Sequence, residues 1–484
     1  MPRINRSTPE ALGIPSSAIL AFINAIEAQQ IGLHSFMLVR HGQVAAEGWW
    51  QPYAPERHHT LFSLTKSFTS TAVGLAVSEG RLSLDDAVIS FFPDRLPARV
   101  SRHLAAMKVR HLLGMATGHH KDTTMALFKS PDGDWVRAFL AQPVKHAPGA
   151  PFVYNNGATY MLSAILQSLT GQTLFDYLTP RLFEPLGINP PGWESDPRGI
   201  NAGAFGLALR TEDIACFGQL YLQKGQWQGR QLIPAAWVEQ ATSIQTQHIK
   251  KTDNDWEQGY GFQFWRCRHN AYRGDGAFGQ FCLGMPDQDA VLAMTSGQND
   301  MQAVLDQVWA HLLPAFQAEV LPANPAVLTE LSARAAALRL PLPAGAPNSP
   351  LAAGLSGKTF KLRSNRVLKL STARFDFAPG QVTLTLNGAK GEDVLPAGSA
   401  AWLPGLSRLD PAGEQPVASA YAWTAPDTLE LKCYFVNTPF CHTLTAHFTG
   451  TDVKIEHTVN VSFGPTRFPD LHGTQVKTKP GLQA

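Results

Sequence analysis

Residues 60–67 read Thr60-Leu61-Phe62-Ser63-Leu64-Thr65-Lys66-Ser67 and carry the strongest chemical signal in the chain. A serine and a lysine three residues apart share one face of a helix, so the amine of Lys66 can accept the proton of the Ser63 hydroxyl. The unpaired N–H groups at a helix amino terminus favour the negative charge that develops on such a serine. The spacing therefore predicts a nucleophilic hydroxyl that is activated by an amine, without a catalytic histidine.

The residues that follow Lys66 predict a buried helix. A Ser-x-x-Lys tetrad is expected by composition about once in a chain of this length, so the tetrad alone is weak evidence. It is, however, the only such tetrad in the 484 residues, and residues 67–77 are small or apolar on every face. Such a run is typical of a closely packed central helix, where a lysine is costly to bury unless it is paired or functional.

A second segment, residues 148–157, is rich in turn-forming residues and presents Tyr154 and Asn156 with one residue between them. Polar groups of this kind reach binding sites from loops. The ordinary alternative is a turn without a functional role, because Asn and Gly commonly mark turns. The combination with the Ser63 tetrad favours the functional interpretation.

In order and spacing, these motifs resemble the superfamily of serine β-lactamases, DD-peptidases and family VIII carboxylesterases, in its class C-like branch. The resemblance covers about residues 8–317. It rests on Ser63-Leu64-Thr65-Lys66, Tyr154-Asn155-Asn156, and the flanking segments 111–118, 183–187 and 206–213. It implies that Ser63 is the nucleophile, that Lys66 or Tyr154 is the general base, and that Asn156 positions Lys66 and the substrate carbonyl.

The third motif of this superfamily, Lys-Thr-Gly, is absent. Residues 251–253 (Lys-Thr-Asp) lack the glycine, whereas residues 274–280 (Gly-Asp-Gly-Ala-Phe-Gly-Gln) resemble a Gly-x-x-Gly-Gln variant of amidases of the 6-aminohexanoate-dimer hydrolase type. The resemblance implies that Gly276 keeps the motif's glycine and that the backbone N–H of Ala277 joins that of Ser63 in the oxyanion hole. Without the lysine, weak or no β-lactamase activity is expected. Gly276, Phe278 and His119 are candidates for binding substrate, although packing is the commoner role of such side chains.

The function expected from these residues is hydrolysis of a small-molecule ester or amide through an acyl-enzyme on Ser63, with no cofactor. One alternative is a D-amino-acid-specific peptidase or DD-peptidase-like enzyme. Another, of a different class, is a non-catalytic sensor module of the penicillin-binding type, which is acylated but not turned over. The residues leave open the natural substrate, the preference for ester or amide, and the oligomeric state.

The composition of the chain limits the classes of partner that are expected. Hydrophobic residues make up 44% of the chain, charged residues 16%, and the net charge is +2, so neither nucleic acid nor an anionic membrane is expected as a partner. Residues 1–20 lack the apolar core of a signal peptide, which predicts a cytoplasmic protein. Five scattered cysteines without a Cys-x-x-Cys pair, and sixteen histidines without His-Glu-x-x-His, predict no disulfide framework and no metal site.

The order of the predicted elements indicates an α+β fold: a three-layer domain of antiparallel sheet flanked by helices, with a helical region, followed by an all-β antiparallel domain. The predicted divisions are a β-lactamase-like domain at 1–320, a Pro/Ala-rich linker with a short helix at 321–350, a β sandwich or barrel at 351–470, and a tail at 471–484. Within the first domain, the patterns predict a hairpin at 34–50, strands at 259–267, 277–284 and 290–295, and a closing helix at 300–316.

Overall fold

The computed structural model describes residues 3–250, 252–365, 368–410 and 413–476. The chain divides into two units. The first is built from residues up to Gly48, His58–Ser296 and Asp300–Ala336; the second is built from Trp49–Arg57, Gly297–Asn299 and the residues after Ala336. The domain boundaries near 320 and 351 stay predictions, and the helix predicted inside the linker groups with the first unit.

The first unit is organised around a sheet whose strands pair mostly antiparallel. Its strands are β1 (Asn5–Arg6), β2 (Leu33–Arg40), β3 (Gln43–Trp49), β8 (Thr246–Ile249), β9 (Gln258–Tyr260), β10 (Trp265–Arg266), β11 (Tyr272–Gly276), β12 (Gln280–Met285) and β13 (Ala290–Ser296). Their order across the sheet is β1-β3-β2-β13-β12-β11-β10-β9-β8. Four two-residue strands form separate pairs: β4 (His59–Thr60) with β5 (Ala208–Leu209), and β6 (Gln226–Trp227) with β7 (Arg230–Gln231). The hairpin predicted at 34–50 is confirmed as β2 and β3.

Helices cover the sheet and form a separate helical region between β4 and β5. They are α1 (Ser16–Ala28), α2 (Thr65–Ser78), α3 (Arg102–Ala105), α4 (Val109–Leu113), α5 (Thr124–Phe128), α6 (Trp135–Leu140), α7 (Asn156–Thr170), α8 (Leu174–Leu178), α9 (Glu184–Leu186), α10 (Thr211–Leu222), α11 (Ala235–Thr242), α12 (Met301–Gln307) and α13 (Pro325–Ala336). The closing helix predicted at 300–316 is α12 extended by the short helical segments Val308–Leu312 and Leu313–Ala315. In the described parts of the chain, no helix combines the length and apolar character needed to cross a bilayer.

The three-layer arrangement follows from the burial of the central strands. Every residue of β2 and β13 is buried, which is typical of strands covered on both faces. On one face, Phe22 of α1 packs edge-on against Phe36 of β2 with ring centroids 5.9 Å apart. On the other, a Cβ at Gly218 of α10 would lie 2.5 Å from Cγ1 of Val291 in β13, so the helix backbone lies directly on the sheet. The predicted α+β class is confirmed.

Two of the predicted strands are wrong in detail. The single strand predicted at 259–267 is interrupted, because Gln263 adopts a positive φ of 66° between β9 and β10. The strand predicted at 277–284 begins only at Gln280. Residues 277–279 instead form a tight turn in which Phe278 has a φ of 67°. The apolar pattern continues through this turn, so the periodicity alone does not reveal it.

The second unit contains a ten-stranded sheet with the short helix α14 (Ala352–Leu355). Its strands are β14 (Lys358–Leu362), β15 (Leu370–Ala378), β16 (Gln381–Gly388), β17 (Gly391–Gly398), β18 (Leu403–Ser407), β19 (Gln415–Ala425), β20 (Thr428–Phe435), β21 (Cys441–Thr449), β22 (Asp452–Val459) and β23 (Leu471–Gln475). An additional pairing of Gly398 with Ala420 joins β17 to β19 and closes the sheet. Of the two predicted forms, sandwich and barrel, the barrel is confirmed.

Alternating apolar and polar residues predict six strands in this unit, at 358–362, 368–377, 381–387, 428–436, 442–448 and 453–461, and they correspond to β14, β15, β16, β20, β21 and β22. The same pattern does not predict β17, β18, β19 or β23. The tail predicted at 471–484 is wrong at its start, because Leu471–Gln475 pairs with both β14 and β22. The rest of that predicted tail, from residue 477, lies outside the described residues.

Candidate active site

Ser63 lies in a 3₁₀ turn, Phe62–Leu64, that runs directly into α2. The α-helix itself begins at Thr65, two residues after Ser63, so the serine expected at the start of a helix lies in the 3₁₀ turn that precedes α2. The predicted contact with the lysine is confirmed, because Nζ of Lys66 lies 2.9 Å from Oγ of Ser63. Phe62, immediately before the serine, has a φ of 47°, a region that non-glycine residues rarely occupy. Such strain is often found where a side chain must be presented at a fixed angle.

The surroundings of Lys66 fit a neutral amine. Its side chain is 1% exposed, and burial lowers its pKa to about 7, against the opposing effect of the carboxylates of Asp122 and Asp275. Besides Ser63, Nζ contacts Oδ1 of Asn156 at 2.7 Å and the carbonyl oxygen of Ala204 at 2.9 Å. These two oxygens only accept hydrogen bonds, so they use both N–H groups of a neutral amine. The remaining lone pair of a neutral amine then faces the Ser63 hydroxyl.

Tyr154 lies next to both Lys66 and Ser63. Its ring centroid is 4.9 Å from Nζ of Lys66, and its ring stacks on Trp265 at 5.5 Å. Burial, followed by the carboxylate of Asp275, raises the pKa of Tyr154 well above its usual value, although a hydrogen bond with the Ser63 side chain acts the other way. The phenol is therefore protonated at neutral pH, able to relay a proton but poorly suited to act as the first base.

The two asparagines after Tyr154 have different roles. Oδ1 of Asn155 accepts hydrogen bonds from the backbone N–H of Gly157 and from Oγ1 of Thr123, so this buried side chain caps α7. Asn156, the first residue of α7, accepts a hydrogen bond from Lys66 and donates through Nδ2 to Oγ1 of Thr124 at 2.9 Å. Because one residue separates Tyr154 from Asn156, that residue, Asn155, can cap α7 and hold the loop in place.

A carboxylate that the sequence reasoning missed supports Asn156. The backbone N–H of Asn156 donates to Oδ1 of Asp122 at 2.8 Å, and its Nδ2 lies 3.4 Å from Oδ2 of the same residue. Asp122 also acts electrostatically on Lys66. It lies 34 residues before Asn156 in a polar stretch that also holds Lys121, and no spacing singled it out.

Strand β11 reaches the serine because two of its residues are glycine. A Cβ at Gly276 would collide with the carbonyl oxygen of Leu61. A Cβ at Gly274 would lie 2.5 Å from Cδ1 of Leu64 and 2.6 Å from Oγ of Ser67. Both glycines therefore face the Ser63 turn, and the strand backbone lies against it. Ala277, the residue predicted to contribute to the oxyanion hole, follows immediately after Gly276.

The turn that carries Ala277 is held by two buried polar side chains. Nε2 of Gln280 donates to the carbonyl oxygens of Ala277 at 3.0 Å and Ser296 at 2.8 Å. Oγ of Ser296 donates to the carbonyl oxygen of Phe278 at 2.6 Å. These bonds fix the peptide planes of the turn. The ring of Phe278 meets that of Phe62 edge-on at 5.5 Å, beside the serine. The assigned roles of Gly276, Ala277 and Phe278 stay predictions that this placement supports.

The charged residues of β11 are not available to a substrate. The guanidinium of Arg273 is fully buried, pairs with Oδ2 of Asp275 through Nε and a terminal nitrogen at 3.0 and 2.9 Å, and lies 4.2 Å from the centroid of the Trp256 ring. Of the alternative third motif at residues 251–253, Lys251 lies outside the described residues.

His119 is 2% exposed, packs against Phe139 with ring centroids 5.0 Å apart, and contacts Oγ1 of Thr117 through Nδ1 at 2.9 Å. Burial lowers its pKa to about 4. Its assignment to substrate binding stays a prediction, and this burial favours the packing role instead.

The comparisons with known proteins agree with this geometry. The family model described as Beta-lactamase matches residues 21–313. Protein flp of Staphylococcus aureus (strain COL) is 28% identical over 161 residues, which are 32% of this chain and 32% of that protein, so the match spans about a third of that relative. The 6-aminohexanoate-dimer hydrolase of Paenarthrobacter ureafaciens is 23% identical over 288 residues, 55% of this chain and 73% of that protein. A crystal structure of SurE with D-Leu has a TM-score of 0.51 at 19% identity and covers 87% of this chain and 97% of that one, which shows a shared fold.

Proposed function

Because the chain belongs to the beta-lactamase family, we propose that it is a serine hydrolase that forms an acyl-enzyme on Ser63 and hydrolyses small esters or amides. The observation that carries this proposal is the position of Lys66. Its amine lies 2.9 Å from the Ser63 hydroxyl, while its other two contacts are oxygens that only accept hydrogen bonds. A group held in this way removes the serine proton without first having to break another interaction.

The reaction proceeds in two halves. Oγ of Ser63 transfers its proton to Nζ of Lys66 and attacks the substrate carbonyl, and the oxyanion is stabilised by the backbone N–H groups of Ser63 and Ala277. The proton then passes through the phenol of Tyr154 to the leaving group, which departs as an alcohol or amine. Water attacks the acyl-enzyme with Lys66 again as the base, releasing the acid and restoring Ser63.

The side chains around the serine favour apolar substrates. Phe62 and Phe278 lie on one side of Ser63. Helix α5 begins at Thr124, whose Oγ1 accepts a hydrogen bond from Asn156, and it exposes Met125 (60%) and Phe128 (50%). The Phe128 ring lies 6.0 Å from that of Phe205, the residue after Ala204. Exposed large apolar side chains that lie close together are typical of a binding surface.

Two further points define the substrate range. The name of the relative from Paenarthrobacter ureafaciens describes hydrolysis of the 6-aminohexanoate dimer, which supports including amides here. Residues 274–277 offer no cation to a β-lactam carboxylate, since Arg273 is buried against Asp275. We therefore expect kcat/KM for p-nitrophenyl butyrate to exceed that for nitrocefin, and the opposite order would mean that another cation binds the carboxylate.

Covalent labelling tests the proposal directly. A fluorophosphonate probe should modify Ser63, so Ser63→Ala should lose the adduct seen by mass spectrometry, whereas Ser78→Ala, at the far end of the same helix, should keep it. An adduct at wild-type level in Ser63→Ala would refute the assignment of the nucleophile. Stable labelling by an ester substrate, without release of its acid, would instead identify the non-catalytic sensor.

A further inference from the structure

One end of the barrel interior is polar, which the catalytic reaction does not explain. Leu444, Ala446 and Phe448 of β21 belong to the apolar core of the barrel, so His442, two positions earlier, points the same way. In β22, Val453 and Ile455 belong to the same core. His457 is two positions after Ile455, so by the same alternation its side chain also points inward. Both imidazoles are buried, at 4% and 0% exposure. Inward positions of a small barrel are normally filled by apolar side chains.

The two histidines form a neutral pair. Nδ1 of His442 lies 2.8 Å from Nε2 of His457, and the ring of His457 stacks on that of Phe468 at 4.3 Å. Burial lowers the pKa of His442 to about 3 and that of His457 to about 4. Among the described residues, Nδ1 of His457 has no hydrogen-bond partner. Buried polar atoms usually have a partner, so this end of the barrel retains hydrogen-bonding capacity.

A cavity of about 180 Å³ opens at this end of the barrel. Its apolar wall consists of Leu368, Leu370, Leu409 and Phe468, and its polar groups are those of His442, Asp393, Lys390 and Arg408. An engineered apolar cavity of about 150 Å³ is large enough to bind benzene. The space therefore suits a small organic molecule with a short apolar chain, and the mouths of β-barrels are common places for such ligands.

One charged residue at the cavity, Lys390, favours an anionic head group beside it. Lys390 is exposed and has no carboxylate within ion-pair distance among the described residues; its Nζ reaches only the carbonyl oxygen of Asp410, at 3.5 Å. Arg408 pairs with Glu414. Asp393 is buried, and its Oδ2 accepts hydrogen bonds from Oγ of Ser407 and from the backbone N–H of Arg408, so its carboxyl is engaged in the wall.

We propose that this cavity binds a monocarboxylate with a short alkyl chain, its carboxylate beside Lys390 and its chain against Leu409 and Phe468. The assignment does not depend on the activity proposed for Ser63. It gives the barrel a ligand of its own, of the same chemical class as the acid that an esterase releases.

Calorimetric titration of the full-length protein with octanoate tests the proposal. Octanoate should bind with a one-to-one stoichiometry, and octylamine, which has the same chain with the opposite charge, should bind at least tenfold more weakly. Equal binding of the two would overturn the anionic assignment. Lys390→Gln, at an exposed position, should weaken octanoate binding several-fold and leave the binding of octanol unchanged, and an unchanged octanoate affinity would likewise contradict the proposal.

Substitution of two leucines, one inside and one outside the cavity, tests whether octanoate binds in the cavity. Leu409 lines the cavity and is 6% exposed, whereas Leu406 lies three residues earlier and is 52% exposed. Leu409→Trp should fill the cavity and weaken octanoate binding at least tenfold, while Leu406→Trp should not. Phe468→Ala, which removes half-buried wall, provides a second variant if Leu409→Trp does not fold, and it should also weaken binding. Wild-type affinity in the folded cavity variant would place octanoate elsewhere, for example at the apolar surface near Ser63.

Discussion

The pH dependence of the reaction offers the sharpest test of Lys66 as the base. Burial lowers its pKa to about 7, so the active, neutral amine forms as the pH rises through neutrality. A group with this pKa is about one-tenth neutral at pH 6 and about nine-tenths neutral at pH 8, which predicts roughly a tenfold rise in kcat/KM between these pH values. The titration of Tyr154 does not change the pH–rate profile in this range, because burial raises the pKa of Tyr154 well above its usual value.

Replacing Asp122 by Asn tests the cause of this pKa. The carboxylate of Asp122 favours protonated Lys66, so its loss should lower the pKa of Lys66 further and move the midpoint of the profile to lower pH. The amide retains an oxygen that can still accept the hydrogen bond from the backbone of Asn156. Asp85→Asn, at an exposed carboxylate paired with Lys108 and Arg110, is the control and should leave the midpoint in place.

The measurement is kcat/KM for a p-nitrophenyl ester from pH 5.5 to 8.5, because this parameter reports the titration of the free enzyme. If Asp122 had only a structural role, its loss would lower the plateau without moving the midpoint. A flat wild-type profile, or a midpoint that moves upward in Asp122→Asn, would refute Lys66 as a neutral base.

Three further outcomes follow from the same geometry. Tyr154→Phe keeps the ring on Trp265 but removes the proton relay, so kcat should fall by roughly 10²- to 10⁴-fold with an unchanged melting temperature; near-normal kcat would show that Lys66 acts alone. Gln280→Leu leaves the carbonyl oxygens of Ala277 and Ser296 without their partner, which should lower stability by about 1–3 kcal/mol in urea unfolding and reduce kcat through a looser turn. For Lys66, the folded-state pKa lies below the unfolded value, so the unfolded chain binds more protons and stability rises between pH 7 and 10.5. Lys66→Met should abolish that slope. Below pH 7 the variant should be more stable than the wild type by up to ~5 kcal/mol, reduced by the cost of leaving the oxygens of Asn156 and Ala204 without a hydrogen-bond donor.

The parts of the site that sequence reasoning found are those fixed by local geometry. Ser63 and Lys66 are three residues apart, so one helical turn suffices to bring them together. Tyr154 and Asn156 stand on either side of a capping residue. Asp122 was missed because its contact with Asn156 depends on the packing of a separate loop. The turn at 277–279 was missed because nothing in the residue type of Phe278 signals its positive φ.

The barrel strands divide in the same way. Strands such as β16 and β20 alternate apolar and polar residues, which predicts them directly. The unpredicted strands β17 and β18 contain Pro396 and Pro404, and proline normally argues against a strand. These strands form because they complete the closed barrel around the core. Closure depends on strands far apart in the chain, so the local sequence does not reveal it.

The glycines of β11 also limit how this protein can change over evolutionary time. Restoring the lysine of Lys-Thr-Gly would mean a side chain at Gly274, where a Cβ would lie 2.5 Å from Leu64 and 2.6 Å from Ser67. Gly274→Lys is therefore expected to be harmful by itself and tolerated only after Leu64 or Ser67 has become smaller. Such sign epistasis makes the order of mutations decisive: selection for β-lactam resistance would have to pass through substitutions that bring no benefit of their own.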